Sequence, residues 1–259
     1  MTNGVTLYGI RGPVKFLKEE FFEPDEVSAR PSGDSRMGMN LFYTTQVLFD
    51  REGNIIEKKT IGFQGEEIIT TYNYDGHGRL IEEAWHNPTI PLRYKVQYRP
   101  DGQILKMDTY GHDKLLIETR HYEYDSNGYC VREEFYDIEG ELTGICYLKW
   151  FARGLIQEVN HCDADGNVKD TSRSHYDEEN NEVEREFWTS DPDSFTRSVN
   201  KYDKNHKETE VIHYDENDGV LSRFSYEYQL DELGNWTEKR EMKDGFLNRI
   251  VRRELGYHK

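Results

Sequence analysis

Cysteine is scarce in this chain: three residues in 259, an odd number with no Cys-x-x-Cys spacing. A disulfide framework is excluded, and Cys130, Cys146 and Cys162 read as reduced. No apolar run is long enough to cross a bilayer as a helix. No basic region followed by an apolar stretch opens the chain, so Met1 as native start predicts a cytoplasmic protein, and a chain trimmed of its signal an exported one. Positive charge is also in deficit. Lys and Arg number 33 against 50 Asp and Glu, a net charge of −17. Such a chain repels phosphate backbones and anionic membranes, so no nucleic-acid partner and no membrane span are expected, and basic proteins remain open as partners.

Catalytic signatures are missing as well. There is no Gly-x-Ser-x-Gly elbow, no Gly-rich phosphate loop after a strand and no His-Glu-x-x-His. Among 50 acidic residues, choosing two as a glycosidase pair is arbitrary. The expectation is a protein that is not an enzyme and needs no cofactor.

What the chain does have is a turn. An Asp followed three residues later by Gly recurs at Asp50, Asp75, Asp125, Asp137, Asp163 and Asp231. Arg99 replaces the Asp in one copy. Asn180 and His206 stand for the Gly after Asp177 and Asp203, and Gly219 comes one residue late after Asp215. Asp at the first position of a type I turn, followed by a residue that tolerates a left-handed backbone, describes a three-residue hairpin loop closed by a bulge. That loop fixes register. It predicts the pairs Phe49 with Ile55, Tyr74 with Leu80, Tyr98 with Ile104, Tyr124 with Cys130, Tyr136 with Leu142, Cys162 with Val168 and Leu230 with Trp236. Both members are aromatic or apolar nearly throughout, as cross-strand neighbours should be.

Strict alternation continues beyond the turns. Phe224, Tyr226, Tyr228 and Leu230 fall on one side of a strand and Ser225, Glu227 and Gln229 on the other. The expectation is a sheet with one aromatic and one charged face. Less regular reversals are predicted near Phe63 to Gly65, His86 to Pro91, Gly111 to Asp113, Phe151 to Gly154 and Ser190 to Ser194. Val14 to Leu17 also alternates and reads as a strand. The predicted fold is therefore all-β, an antiparallel β-meander of repeated hairpins in a single domain over 1–259. Residues 1–22 form its N-terminal strand segment and 23–40 an irregular loop. One strongly curved or spiral sheet, its two edges covered by the terminal segments, is favoured, and closure into a barrel or a sandwich also fits the pattern.

The segment Tyr72-Asn73-Tyr74-Asp75-Gly76-His77-Gly78-Arg79-Leu80 resembles the YD repeat of the Rhs family, whose pattern is Tyr-Asp-x-x-Gly-Arg-Leu. Tyr122 to Gly128 and Leu230 to Trp236 look like degenerate copies, and the resemblance covers about Leu41 to Lys243. It implies a spiralling β-sheet of the kind that forms toxin-enclosing shells or carbohydrate-adhering modules. This chain is too short to enclose a polypeptide, and Asp191-Pro192-Asp193-Ser194 lacks the Gly of the Asp-Pro-x-Gly cleavage motif.

Two uses follow as expectations. The first is a non-enzymatic binding or scaffold protein offering an aromatic-lined surface to a carbohydrate or protein partner, with Trp85, Trp150, Trp188 and Trp236 as ligand contacts. The alternative is an acidic immunity or accessory protein that binds a Rhs-type toxin or another basic protein. Cys130 and Cys162 occupy core-facing repeat positions and read as packing residues. His161, His175 and His213, each two residues before an Asp, are expected on the charged face without a metal. Asp163 to Asn167 begins like a calcium loop but lacks the distal Glu, so no calcium is expected there.

Overall fold

In a computed structural model the described residues are 8–24, 39–87, 89–151, 154–191 and 194–258. They form eighteen strands: β1 Val14–Pro24, β2 Met39–Phe49, β3 Ile55–Gly62, β4 Glu67–Tyr74, β5 Leu80–His86, β6 Leu92–Tyr98, β7 Ile104–Tyr110, β8 Leu116–Tyr124, β9 Cys130–Tyr136, β10 Leu142–Phe151, β11 Leu155–Asp163, β12 Val168–Tyr176, β13 Glu182–Thr189, β14 Thr196–Tyr202, β15 Glu208–Tyr214, β16 Val220–Leu230, β17 Trp236–Lys243 and β18 Phe246–Tyr257. Each pairs with its sequence neighbour, and β1 pairs antiparallel with both β2 and β18. First and last strands are thus joined, and the antiparallel meander closes in barrel order. Of the three arrangements open to the sequence, this pairing selects closure. The terminal strands do not cap separate edges; each satisfies the other's backbone groups. The loop predicted over 23–40 reaches into β1 and β2 at its ends, and the rest of it lies outside the described residues.

The turns are built as the Asp-x-x-Gly spacing requires. At Asp75 the backbone N–H of Asp75 donates to the carbonyl of Arg79 at 2.9 Å and that of Gly78 donates to the carbonyl of Asp75 at 3.0 Å. The Asp75 carboxylate accepts from the N–H groups of His77 and Arg79, both at 2.9 Å. The same backbone pair of bonds recurs in all ten copies. After Asp215 the left-handed position is filled by Asp218, at φ 61°, so the copy keeps its three-residue spacing and Gly219 follows it. At Arg99 the lost carboxylate is replaced by Asp101, which accepts from Gln103 at 3.0 Å. The predicted pairs Phe49–Ile55, Tyr74–Leu80, Tyr124–Cys130, Tyr136–Leu142 and Cys162–Val168 all occur.

Each such hairpin carries a register shift one residue inside the turn, and this decides which face a side chain takes. Turns at one end of the sheet place their flanking pair on one face, and turns at the opposite end place theirs on the other. The expectation of one aromatic and one charged face is therefore corrected. Cys130 pairs with Tyr124 on one face, whereas Cys162, paired with Ile145 across β10 and β11, lies on the other. His161 pairs with Cys146 and Asp170, and His213 with Ser198; His175, paired with Glu184, faces away from both.

The chain divides into two compact units, Met1–Arg93 with Ser225–Lys259, and Tyr94–Phe224. In the first, a core gathers Ile10, Val14, Leu17, Val47, Phe49 and Ile55, with Tyr8, Tyr72, Leu255 and Tyr257 packed against it. Leu17 and Val47, register partners, are fully buried. In the second, one face carries a row of registered partners across six strands, Lys149, Glu158, Arg173, Glu186, Arg197 and Tyr214. Charge alternates along it. Arg173 contacts Glu158 at 3.0 Å and Glu186 at 3.7 Å, pairs that are exposed enough to contribute only ~0.2–1 kcal/mol each but that penalise a shifted register.

Candidate binding cleft

The four tryptophans are divided between the two units, Trp85 and Trp236 in the first and Trp150 and Trp188 in the second. In the first unit Trp85 pairs with Thr70 on the face that carries Tyr72, and its indole N–H donates to Glu83 at 2.5 Å. Trp236 lies under the Arg253 guanidinium, 3.4 Å from its ring centroid. Arg253 is itself buried and donates to Glu19 at 2.7 Å. Trp236 is half-buried beneath Arg253 and lines a shallow cleft together with Phe21 and Val251. In the second unit Trp188 pairs with Thr171 on the charge-row face and carries Arg173 over its ring at 5.2 Å. Trp150 sits on the opposite face.

Around Trp150 there is a cleft of about 430 Å³, within the range of small-molecule sites. Its aromatic wall is fixed from behind. Tyr129 stacks on Trp150 at 5.1 Å with the planes 20° apart, and the indole N–H donates to the Cys130 carbonyl at 2.5 Å. Gly154, at φ 79°, backs onto the Tyr129 ring, which a Cβ there would meet at 3.3 Å.

The rest of the lining is mixed: Leu155, Ile156 and Val159 are apolar, and Gln157, Ser172, Ser174, Tyr176 and Arg185 bring polar groups. Ser174 Oγ donates to Glu182 at 2.8 Å, and Arg185 grips the same carboxylate with two N–H donors at 2.5 and 2.8 Å. That hydrogen-bonded pairing with Glu182 raises the Arg185 guanidinium further. The Tyr176 hydroxyl donates to the Ile156 carbonyl at 2.8 Å, and burial pushes its phenol up. Aromatic surface thus lines the same cleft as the Ser174 and Arg185 side chains, both of which Glu182 holds in place. Alternation along β12 and β13 contained this signal, because Ser172, Ser174 and Tyr176 share parity. The bulge opposite Trp150 hid which strand faces it.

Neither a family model nor a curated protein matches the chain. Among solved structures it is similar to a porin-like protein from Bacteroides uniformis, with TM-score 0.51 and 11% identity over 94% of this chain and 98% of that one. A porin-like protein from Bacteroides vulgatus aligns at TM-score 0.39 and 10% identity, over 92% of this chain and 97% of that one. The TcdB2-TccC3-Cdc42 structure aligns at TM-score 0.32 and 12% identity, over 82% of this chain and 16% of that one. The first of these shows a shared fold. No helix among the described residues is long and apolar enough to cross a membrane.

Proposed function

We propose that the protein is a non-enzymatic carbohydrate-binding scaffold, assembled from YD-like hairpin repeats, with the Trp150 cleft as its site. One observation carries the reading: a stacked Tyr129–Trp150 pair and the Ser174–Glu182–Arg185 network meet at one cleft. A pyranose presents an apolar C–H face and an equatorial rim of hydroxyls, and an indole beside fixed donors and acceptors complements both. The recurring Asp-centred turn geometry supports kinship with the YD repeat.

Charge distribution opposes a bilayer-spanning role. In the second unit one face carries the Glu158–Arg173–Glu186 row and the other carries Arg120, Glu133, Asp170 and Arg185. In the first unit the Glu19–Arg253 pair and the Glu238–Arg252 pair lie on opposite faces. A basic side chain turned to lipid at mid-strand costs about 2–4 kcal/mol. Whichever face met lipid would bear several such costs.

A glycan array followed by calorimetric titration tests the proposal. Binding of at least one glycan, weakened about tenfold or more by Trp150→Ala and little by Trp188→Ala, is the expected outcome. Absence of any glycan binding, or indifference to Trp150→Ala, rejects it.

A further inference from the structure

In the first unit a cleft of about 470 Å³ opens beside the β3–β4 turn. Phe42, Tyr43 and Phe63 line it, together with the register partners Thr60 and Ile68. Phe42 and Tyr43 are neighbours in β2, and in a regular strand they would point to opposite faces. Pairing with β1 steps from Phe21–Tyr43 to Phe22–Leu41, so Phe42 is the extra residue of a bulge, a feature that re-aims a side chain. Both rings thereby reach one cleft, their centroids 5.7 Å apart and their planes at 68°. Phe21 stacks on Tyr43 at 4.0 Å and braces that corner. Phe42 is 50% and Phe63 73% exposed, so packing does not consume their faces.

The turn adds a carboxylate. Gly62 to Glu66 repeat the backbone bonds of the Asp-x-x-Gly turns: the Gly62 N–H donates to the Glu66 carbonyl at 2.9 Å and the Gly65 N–H to the Gly62 carbonyl at 3.0 Å. Glycine stands where the other turns have Asp, and Glu66 supplies the missing acceptor, its Oε2 taking the Gln64 N–H at 3.0 Å. A Cβ on Gly62 would collide with the Glu66 carboxylate, which therefore fills the place of a side chain at 62. Gly62 is the register partner of Tyr43, and such partners share a face, with Cβ positions about 4.5–5.5 Å apart. The carboxylate thus stands beside Tyr43 and lines the cleft with the three rings. Among the described residues only the Gln64 N–H bonds to it, and no ion pair reaches it. Neighbouring cations are committed elsewhere. Lys59 pairs with Glu67 at 2.7 Å. Burial raises the Tyr43 phenol, and Arg249, which opposes that shift, is held by Glu23 at 3.1 Å.

A fixed carboxylate beside a corner of rings attracts a cation twice, through its charge and through the negative π faces. A hard divalent ion needs six or more oxygen ligands, and the side chains here offer one carboxylate, the Gln64 amide and the Thr60 hydroxyl. A primary ammonium is strongly hydrated and brings three donors that aromatic rings leave unmet. Methylation removes those donors and spreads the charge over apolar surface, which rings complement.

We propose that Phe42, Tyr43, Phe63 and Glu66 form a site for a small solute carrying a trimethylammonium group, with choline as its simplest probe. No basic side chain among the described residues lines the cleft to hold a phosphate, so the free solute is expected over a phosphocholine lipid headgroup. The site is independent of the carbohydrate reading of the Trp150 cleft.

The test titrates the intact chain calorimetrically with choline, with its uncharged tert-butyl isostere and with ethanolamine, and sediments it with phosphatidylcholine vesicles. Expected is choline binding about tenfold or more tighter than either analogue, with no sedimentation on vesicles. Glu66→Gln, which keeps an acceptor for the Gln64 N–H, should weaken choline about fivefold or more. Phe63→Ala should do the same, and Phe63→Tyr, which keeps a ring, should retain binding. Both positions are exposed, and an unchanged urea midpoint in each variant separates lost binding from lost fold. Absence of choline binding, equal binding of choline and either analogue, or indifference to Glu66→Gln and Phe63→Ala overturns the site. Sedimentation with vesicles and no binding of free choline overturns the choice of a small solute.

Discussion

Arg253 lies over Trp236, its guanidinium carbon 3.4 Å from the ring centroid, while its Nε donates to Glu19 and its Nη1 to the Tyr8 carbonyl. Burial pulls this guanidinium down from the ordinary arginine range, and Glu19 opposes that shift. One aromatic ring, one carboxylate and one carbonyl share the task of keeping a cation inside the first unit. Removing the ring should therefore act on stability. Trp236→Ala is expected to cost about 3 kcal/mol or more, with Trp236→Phe costing less because a ring remains. Urea unfolding monitored by circular dichroism measures both, and an unchanged midpoint for the Ala variant would contradict this role.

Acid sensitivity should trace to the turns. Hydrogen bonds from the Arg79 backbone, then its side chain and the His77 N–H, hold the Asp75 carboxyl down at about 2. Asp163, Asp177, Asp203 and Asp231 are lowered as well. A carboxyl whose folded value is depressed contributes stability that is complete above the unfolded carboxylate range, near pH 4, and lost as pH falls through the folded value. Urea midpoints should thus be level between pH 7 and 5 and decline from about pH 4 toward 2. Asp75→Asn should flatten part of that decline, and a decline of equal depth in the variant would argue against the assignment.

Left-handed positions in the turns should rank residues by backbone cost. Gly140 sits at φ 83° with open space around its missing Cβ, so substitution there probes conformation without a clash. Gly140→Ala is expected to lose about 1–2 kcal/mol. Gly140→Asn should lose less, as Asn180 at φ 69° occupies the equivalent place after Asp177. Thermal denaturation of the two variants orders them, and the reverse order would remove the turn geometry as the reason for Gly.

Thiol reactivity should differ among the three free cysteines. Burial first, and then the nearby Glu133 carboxylate, push the Cys146 thiol up to about 12, whereas Cys130 is half-buried. At pH 8 iodoacetamide should label Cys130 ahead of Cys146 in the folded protein, with Cys146 catching up only in denaturant. Mass spectrometry of the alkylated peptides decides it; rapid native labelling of Cys146 would show that the face is more open than its burial indicates.

From sequence alone came everything that local backbone chemistry controls: the all-β class, the Asp-x-x-Gly hairpins, and pairs such as Tyr74–Leu80, because a three-residue loop with one left-handed position leaves a single register. The partition of side chains between faces did not come from it. Each bulge adds a residue to one strand, and alternate turns lie at opposite ends, so Cys130 and Cys162 read as equivalent positions yet face opposite ways. Closure through β1 and β18 and the Glu19–Arg253 pair that bridges them depend on contacts between strands far apart in the chain. Such contacts are set by how many hairpins accumulate before the ends meet, and no local pattern encodes that number.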